Sequence, residues 1–247
     1  MGKRKSNKNI NKIIVTVISI VVVSIAAYFN IDIEKYLEQN ENSNKISYTT
    51  SFDLNSIPDF TNEPYVVLND NKPNFSEEDF KKETFEEYSP LDYLGRCGVA
   101  FAKVGKETMP KEPRGEIGMV KPSGWKTVKY DIVDGKYLYN RCHLIGYQLT
   151  AENANEKNLI TGTRYMNVQG MLPFENMVAE YVKSTNNHVL YRVTPIFEGE
   201  NLVANGVQIE AESVEDKQIC FNVYIYNVQP GISINYSNGE STEILLQ

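Results

Sequence analysis

The chain has 247 residues, 41% of them hydrophobic, and a formal net charge of −7. This composition excludes a chain too polar to build a core, and the length is enough for one large domain or two small ones. The charge excludes a uniformly basic protein, although residues 91–147 hold 10 basic and 6 acidic residues. An acidic protein can bind a polyanion through a cleft that is locally positive.

The first 29 residues predict a membrane anchor. Residues 1–12 carry five basic residues and no acidic one, and residues 13–29 carry no charge. This run is at the short end for a membrane-spanning helix, and its basic flank predicts residues 1–12 in the cytoplasm and the rest outside. A cleavable signal peptide is the alternative, in which the protein is secreted. Both interpretations place the remaining chain outside the cytoplasm.

The rest of the chain divides into a linker and a domain. Residues 30–60 are rich in Asn, Ser, Asp and Glu, which predicts an extracellular linker, and residues 61–247 are predicted to form the domain. The domain begins with a short strand at 64–68, an acidic surface helix or ordered loop at 75–88, and a β-type run at 91–104 that Gly95 and Gly98 interrupt.

A hairpin is predicted near the middle of the domain. Residues 125–133 alternate as a strand does, Asp134 and Gly135 form a hairpin-turn signal, and residues 137–143 form the second arm. His143 is therefore expected at the end of that arm. Trp125, in the first arm, is either a core residue or a ring on which a base stacks.

The second half of the domain predicts a helix between β-type runs. Residues 158–163 form a short apolar run, and residues 171–183 place apolar side chains at helical spacing, with Pro173 in the first turn. Three β-type runs follow at 188–197, 202–211 and 218–228. This order places a histidine at a strand end, opposite the start of a helix.

His143 and Arg141 are the first candidates for chemistry. Side chains two apart in a strand share one face, so both are expected to face the same way, with Cys142 facing the other. A fixed cation and a proton acceptor on one face suit attack on a phosphodiester. The alternative is a structural histidine beside a chance arginine. His188, the only other histidine, is interpreted as structural.

The three cysteines, Cys97, Cys142 and Cys220, have no metal-binding spacing. Outside the cell, one pair could form a disulfide, and the sequence does not select the pair. Three thiols acting as small apolar residues are the alternative.

Three blocks resemble the DNA/RNA non-specific endonucleases of the ββα-metal (His-Me finger) superfamily. The family motif Asp-Arg-Gly-His is matched by residues 140–143, with Asn140 and Cys142 as departures. Residues 158–175 supply Asn167 and Glu175 in the family's order, and residues 91–100 resemble its substrate-cleft strand. The resemblance implies an α+β fold with a central antiparallel sheet and flanking helices, and similarity to membrane-bound or secreted nucleases of Gram-positive bacteria.

The resemblance also implies roles for individual residues. Asn167 is expected to be the single protein ligand of Mg²⁺, with Mn²⁺ as an alternative ion and water completing the shell. His143 is expected to act as general base, and Arg141 to neutralise phosphate charge. Glu175 is expected to hold a water of the ion. Arg96 and Arg114 are candidate phosphate contacts, with solvated surface groups as the alternative.

The implied reaction is metal-dependent, sequence-non-specific cleavage of DNA, with RNA as a second substrate, that leaves 5′-phosphates. A nucleotide phosphodiesterase or pyrophosphatase that uses the same site is one alternative. A non-catalytic extracellular module that binds nucleic acid is another, and the joint presence of His143, Asn167 and Glu175 argues against it.

Overall fold

The computed structural model describes residues 57–244. The predicted anchor at 13–29 lies outside this range, as does the linker up to residue 56. Within residues 57–244, no helix has the length and apolar character needed to span a membrane. Residues 57–60 pack on the domain: Ile57 and Phe60 contact a small cluster that includes Leu68 and Tyr226.

A six-stranded antiparallel sheet forms the centre of the domain, in the order β1-β8-β7-β6-β3-β2. Its strands are β1 (Tyr65–Val67), β2 (Glu86–Tyr88), β3 (Ala100–Val104), β6 (Val189–Ile196), β7 (Gly206–Ser213) and β8 (Cys220–Tyr226). The expected α+β fold with a central antiparallel sheet is therefore confirmed. The three β-type runs of the second half became its three longest strands.

Helix α3 (Leu172–Thr185) covers one face of this sheet, and the largest apolar cluster lies between them. The short helix α2 (Tyr147–Thr150) precedes α3 in the chain. Val178 and Val182 of the helix belong to this cluster together with Val193 and Ile209 of the sheet. The predicted helix at 171–183 is confirmed. Met177, which the spacing places on the apolar face, is 46% exposed, so the buried stripe is narrower than expected.

The acidic segment before β2 covers the other face of the sheet. It contains the short helix α1 (Glu77–Lys81), which begins with a capping box formed by Ser76. The backbone of Asn74 is hydrogen-bonded to a buried ion pair between Arg192 and Glu210, whose closest N–O distance is 2.7 Å. Both faces of the central strands are covered in this way, which explains their nearly continuous burial.

The predicted hairpin is wrong in its pairing. β4 (Tyr139–His143) pairs with β5 (Leu159–Thr163), whereas residues 125–133 form turns with one isolated bridge, from Lys129 to Tyr137. The turn at 134–135 exists, and Gly135 has a φ of +69°. Val128 and Tyr130 are two residues apart, which imitates a strand, and together with Trp125 they anchor the loop on a separate apolar cluster.

Other expectations are corrected more locally. Within the β-type run at 91–104, only the five residues of β3 form a strand, because Asp92 and Arg96 organise the preceding residues into a turn. A C-terminal hairpin of β9 (Ile232–Asn235) and β10 (Glu240–Glu243) was not predicted. All three cysteines are free thiols; Cys97 and Cys142 are buried and Cys220 is exposed.

Candidate active site

A ββα unit brings the principal predicted site residues into one cleft. The end of β4 places His143 opposite Leu159 of β5. β5 continues through a π-helical turn at Met166–Met171 directly into α3. The cleft bounded by these elements has a volume of about 730 Å³, and His143, Asn167 and Glu175 all line it.

The imidazole of His143 is oriented by a hydrogen bond to a backbone carbonyl. Its Nε2 lies 2.8 Å from the backbone oxygen of Asn153, and the side chain is 7% exposed. A carbonyl oxygen can only accept, so the neutral ring carries its proton on Nε2 and leaves Nδ1 as a proton acceptor. Burial lowers the pKa of His143 to about 4, and the charge of Arg114 acts in the same direction. The ring is therefore neutral at physiological pH.

The backbone directly after His143 is fixed by Asn158. This side chain is fully buried, and it both accepts from the N–H and donates to the C=O of Ile145, at 2.9 and 3.0 Å. The backbone oxygen of Asn158 also accepts from Leu144, at 2.8 Å. The amide thus joins the end of β4 to the start of β5, which holds His143 at the floor of the cleft.

The two departures from the family motif behave differently. Cys142 faces the core, as strand alternation predicts, and is fully buried. A Cβ atom at Gly162, the strand partner of Asn140, would come within 2.4 Å of the Cys142 sulfur, so the larger residue at 142 fits because 162 is glycine. Asn140, which was also expected to face away, lines the cleft instead. A two-stranded ribbon twists strongly, which lets an edge side chain reach round to the open face.

Arg141 lies on the same side as His143, as predicted, and both line the cleft. Its Nε donates to the backbone oxygen of Val120, and its Nη2 donates to that of Gly118 at 2.8 Å. The guanidinium carbon also lies 4.0 Å from the centroid of the Trp125 ring. The side chain therefore fastens the loop at 114–125 to the ribbon, and Trp125 is both a partly buried anchor and the surface under this arginine.

Asn167 enters the cleft from the π-helical turn. In this turn the N–H of Leu172 donates to the backbone oxygen of Asn167, a spacing of five residues. Gly170 lets the turn approach β8 closely, because a Cβ atom there would meet a methyl group of Ile225 at 2.3 Å. Among residues 57–244, no partner hydrogen-bonds the side chain of Asn167, so its amide oxygen is available in the cleft.

Glu175 projects from the first turn of α3 toward the backbone of Gly146. A Cβ atom at 146 would come within 2.5 Å of the Glu175 Oε2, so the carboxylate occupies space that only glycine leaves. Burial raises the pKa of Glu175 to about 7, while the Gln148 amide and the charge of Arg114 act in the opposite direction. A nearby cation would favour the ionised form of this carboxylate.

Two further cations line the cleft. Arg114 is exposed, and its charge influences both His143 and Glu175. Arg164, which follows β5, also lines the cleft and is paired with Asp134 at 2.8 Å. Arg114 is therefore placed as the sequence analysis expected of a phosphate contact.

Arg96 is not brought to this cleft. Its Nε lies 2.7 Å from a carboxylate oxygen of Asp92, and its Nη1 donates to the backbone oxygens of Gly199 and Asn201. The guanidinium also lies over the ring of Phe197. These contacts tie the turn before β3 to the loop after β6. The Arg96 guanidinium therefore stabilises the fold and does not take part in the cleft.

The donor set of the cleft fits a cation that keeps most of its water. Residues 57–244 contain no group of three or more His, Cys, Asp or Glu side chains arranged to bind a metal. The free amide oxygen of Asn167 and the nearby Glu175 carboxylate are hard oxygen groups, which suit Mg²⁺ with one direct protein ligand. A structural zinc site would need several nitrogen or sulfur ligands, which the cleft does not offer.

Sequence comparison identifies the family of this ββα unit. The family model for DNA/RNA non-specific endonucleases matches residues 76–215. The chain belongs to this family. The match includes β4, β5 and α3, and therefore every residue of the cleft discussed above.

Several nucleases are similar to this chain. NucA from Streptococcus agalactiae, in a crystal structure with a magnesium ion bound, is 26% identical with a TM-score of 0.66, over 73% of this chain and 87% of that one. The Sda1 nuclease, in a structure with a bound zinc ion, is 25% identical with a TM-score of 0.64, over 73% and 97%. A deoxyribonuclease of Streptococcus dysgalactiae subsp. equisimilis is 32% identical over 108 residues, and the chain covers 32% of its length.

Sequence reasoning missed several residues that shape this endonuclease cleft. Asn158 was identified as the start of an apolar run and not as a site residue, and Gly146 and Arg164 were not singled out. Arg164 carried a signal, because it directly follows a predicted strand three residues before Asn167. Gly146 had no such signal in the sequence, because the need for glycine there comes from its contact with Glu175, which is distant in the chain.

Proposed function

We propose that this protein is a metal-dependent endonuclease that hydrolyses DNA without sequence preference, with RNA as a second substrate. The observation that carries the proposal is the convergence of three groups in one cleft. These groups are an imidazole with a free acceptor nitrogen, a free amide oxygen on Asn167, and the carboxylate of Glu175. Family membership supports the same reaction class.

The residues of the chain divide the work as follows. The Nδ1 of His143 takes a proton from the attacking water, while its Nε2–H stays bound to the Asn153 carbonyl, which stabilises the imidazolium that forms. Arg114 neutralises charge on the phosphate. Arg141 adds positive charge from the wall of the cleft and holds the loop that carries Arg114.

Asn167 would hold the divalent ion, and Glu175 would accept hydrogen bonds from the waters around it. When bound, Mg²⁺ supplies a positive charge that stabilises the leaving oxygen. A magnesium ion is present in the NucA structure and a zinc ion in the Sda1 structure, which supports a divalent cation in this fold. The expected products carry 5′-phosphates.

The lack of sequence preference rests on the chemistry of the cleft. Arginines that contact phosphate oxygens position a substrate without reading its bases. We further propose that the domain acts outside the cytoplasm, because five basic residues precede the uncharged run at 13–29. Protease added to wall-stripped cells is expected to remove the domain, and full protection would contradict the external location.

The test of the activity uses purified full-length chain with plasmid DNA and with RNA, in Mg²⁺, Mn²⁺ or EDTA. With either ion, we expect the plasmid to be nicked and then fragmented, and in EDTA we expect no cleavage. The ends of the fragments should be labelled by polynucleotide kinase only after phosphatase treatment, because they carry 5′-phosphates. His143→Ala is the matched control against a contaminating nuclease. Equal cleavage by wild type and His143→Ala, or equal cleavage in EDTA, would refute the proposed mechanism.

A further inference from the structure

The cleft continues well beyond the residues assigned to catalysis. Tyr137 and Arg164 also line it, and they lie next to the end of the β4–β5 ribbon that is opposite His143. Their backbones meet where the N–H of Arg164 donates to the oxygen of Leu138, at 2.8 Å. Tyr137 precedes His143 by six positions. At about 3.3 Å per residue, an extended segment of this length spans roughly 20 Å. A strand of several nucleotides can lie along such a distance.

The guanidinium of Arg164 is held in place by a partner that is easily replaced. Its Nε and Nη2 donate to the same oxygen of Asp134, at 3.1 and 2.8 Å. The Asp134 side chain is 78% exposed, on the turn that follows the loop at 125–133. An exposed ion pair contributes little to stability, so a phosphate can take the place of this carboxylate.

A half-exposed aromatic ring accompanies Arg164 at this end. Tyr137 is 49% exposed, and the Lys129 ammonium lies 4.4 Å from its ring centroid. Trp125, another ring that lines the cleft, carries the Arg141 guanidinium on its face. Exposed aromatic rings beside cations are the platforms on which proteins stack unpaired bases.

We propose that Arg164 and Tyr137 form a second nucleotide-binding subsite, which takes a backbone phosphate and a base of the substrate strand outside the cleaved bond. Asp134 occupies Arg164 when no substrate is present and competes with the phosphate. The subsite rests on the proposed nuclease function and defines its substrate as a polynucleotide strand rather than a mononucleotide ester. It favours strands whose bases are unpaired at this point.

The first experiment measures binding of a fluorescent 20-nucleotide single strand by anisotropy, in full-length chain with His143→Ala as the background. Arg164→Gln is expected to weaken binding about tenfold and to lower the slope of log affinity against log salt by about 1. Asp134→Asn is expected to strengthen binding, because the competing carboxylate is gone. If the pair is only structural, both changes weaken binding, and that result would overturn the proposal.

The second experiment separates the subsite from the catalytic centre. With His143 restored, kcat/KM is measured on the 20-nucleotide strand and on a trinucleotide. Arg164→Gln and Tyr137→Ala are each expected to lower the ratio of kcat/KM on the 20-nucleotide strand to that on the trinucleotide about tenfold. Tyr137→Phe keeps the ring and is expected to keep the wild-type ratio. An unchanged ratio in both loss variants, with folding verified by circular dichroism, refutes the subsite. Failure of the wild type on both substrates refutes the nuclease function itself.

Discussion

The carboxylate of Glu175 and the backbone of Gly146 are in such close contact that a Cβ atom at 146 would lie 2.5 Å from Oε2. Gly146 has a φ of −59°, so it is glycine for reasons of space and not of backbone conformation. Gly146, three residues after the end of β4, thus determines where the Glu175 carboxylate of α3 can lie.

Gly146→Ala is therefore expected to displace the Glu175 carboxylate by about an ångström and to lower kcat on plasmid DNA about 10²-fold. Its melting temperature should change little, because a flexible side-chain end absorbs the contact. Gly118→Ala is the matched control, since a Cβ atom there meets nothing within 4 Å. Normal turnover by Gly146→Ala would mean that the position of Glu175 is unimportant.

His143 as general base predicts both a rate and a pH profile. His143→Gly is expected to lower turnover by about 10²–10⁴-fold and to regain part of it with added imidazole. The ring must be neutral to accept a proton, and its pKa is lowered to about 4. At a saturating concentration of Mg²⁺, wild-type kcat/KM should therefore rise with pH through about 4, without an inflection at the ordinary histidine pKa of about 6.5. Imidazole that gives no rescue in a folded variant would argue for a structural histidine.

Metal binding should depend on the protonation of Glu175. Its pKa is raised to about 7, so the carboxyl is largely neutral below that pH and ionised above it, and only the ionised form attracts a cation. The apparent affinity for Mg²⁺, measured by titration calorimetry, is expected to increase as pH rises through 7. Glu175→Gln should remove this dependence and keep weak binding, whereas Asn167→Ala should abolish binding at both pH values.

Arg141 is expected to contribute to stability as well as to catalysis. Arg141→Ala removes two charged hydrogen bonds to the loop carbonyls, which predicts a loss of about 1–3 kcal/mol in urea unfolding and faster proteolysis at 114–121. Arg141→Lys should recover little, because a single ammonium cannot reproduce the planar fork. Lys121→Ala, an exposed neighbour, is the control. Unchanged proteolysis in Arg141→Ala would refute the fastening role.

Cys142 and Gly162 should behave as an energetically coupled pair. Gly162→Ala places a Cβ atom 2.4 Å from the Cys142 sulfur and is expected to cost about 1–3 kcal/mol. Cys142→Gly, which restores the usual family residue, should remove most of that cost when combined with Gly162→Ala. A double-mutant cycle of urea unfolding measures the coupling. Strictly additive effects would show that the two side chains do not compete for space.

The elements predicted correctly are those whose signal is local. Helix α3 has apolar spacing over several turns, and β5 is a short apolar run beside polar loops, so each could be identified from its own residues. Residues 125–133 misled because a loop anchored by alternate apolar side chains has the same pattern as a strand. Only the pairing of β4 with β5 distinguishes the two cases, and pairing depends on residues far apart in sequence.

The features of the site likewise divide into those with a local signal in the sequence and those without one. Asn167 and Glu175 were identified by their order in a motif, and their meeting with His143 follows from the ββα geometry. The shift in the pKa of Glu175 and the commitment of Arg96 to two distant carbonyls were beyond prediction. Both arise from surroundings built by segments that the sequence does not show to be neighbours.

The free thiols are natural probes of local opening in the ribbon formed by β4 and β5. Cys142 lies in the same strand as His143, is fully buried, and has its pKa raised by burial, so a thiol-specific reagent can reach it only when the ribbon opens. Cys220 is exposed and reports the intrinsic speed of the reagent. The ratio of the two labelling rates gives the fraction of time for which Cys142 is accessible, in a wild-type chain that needs no introduced probe.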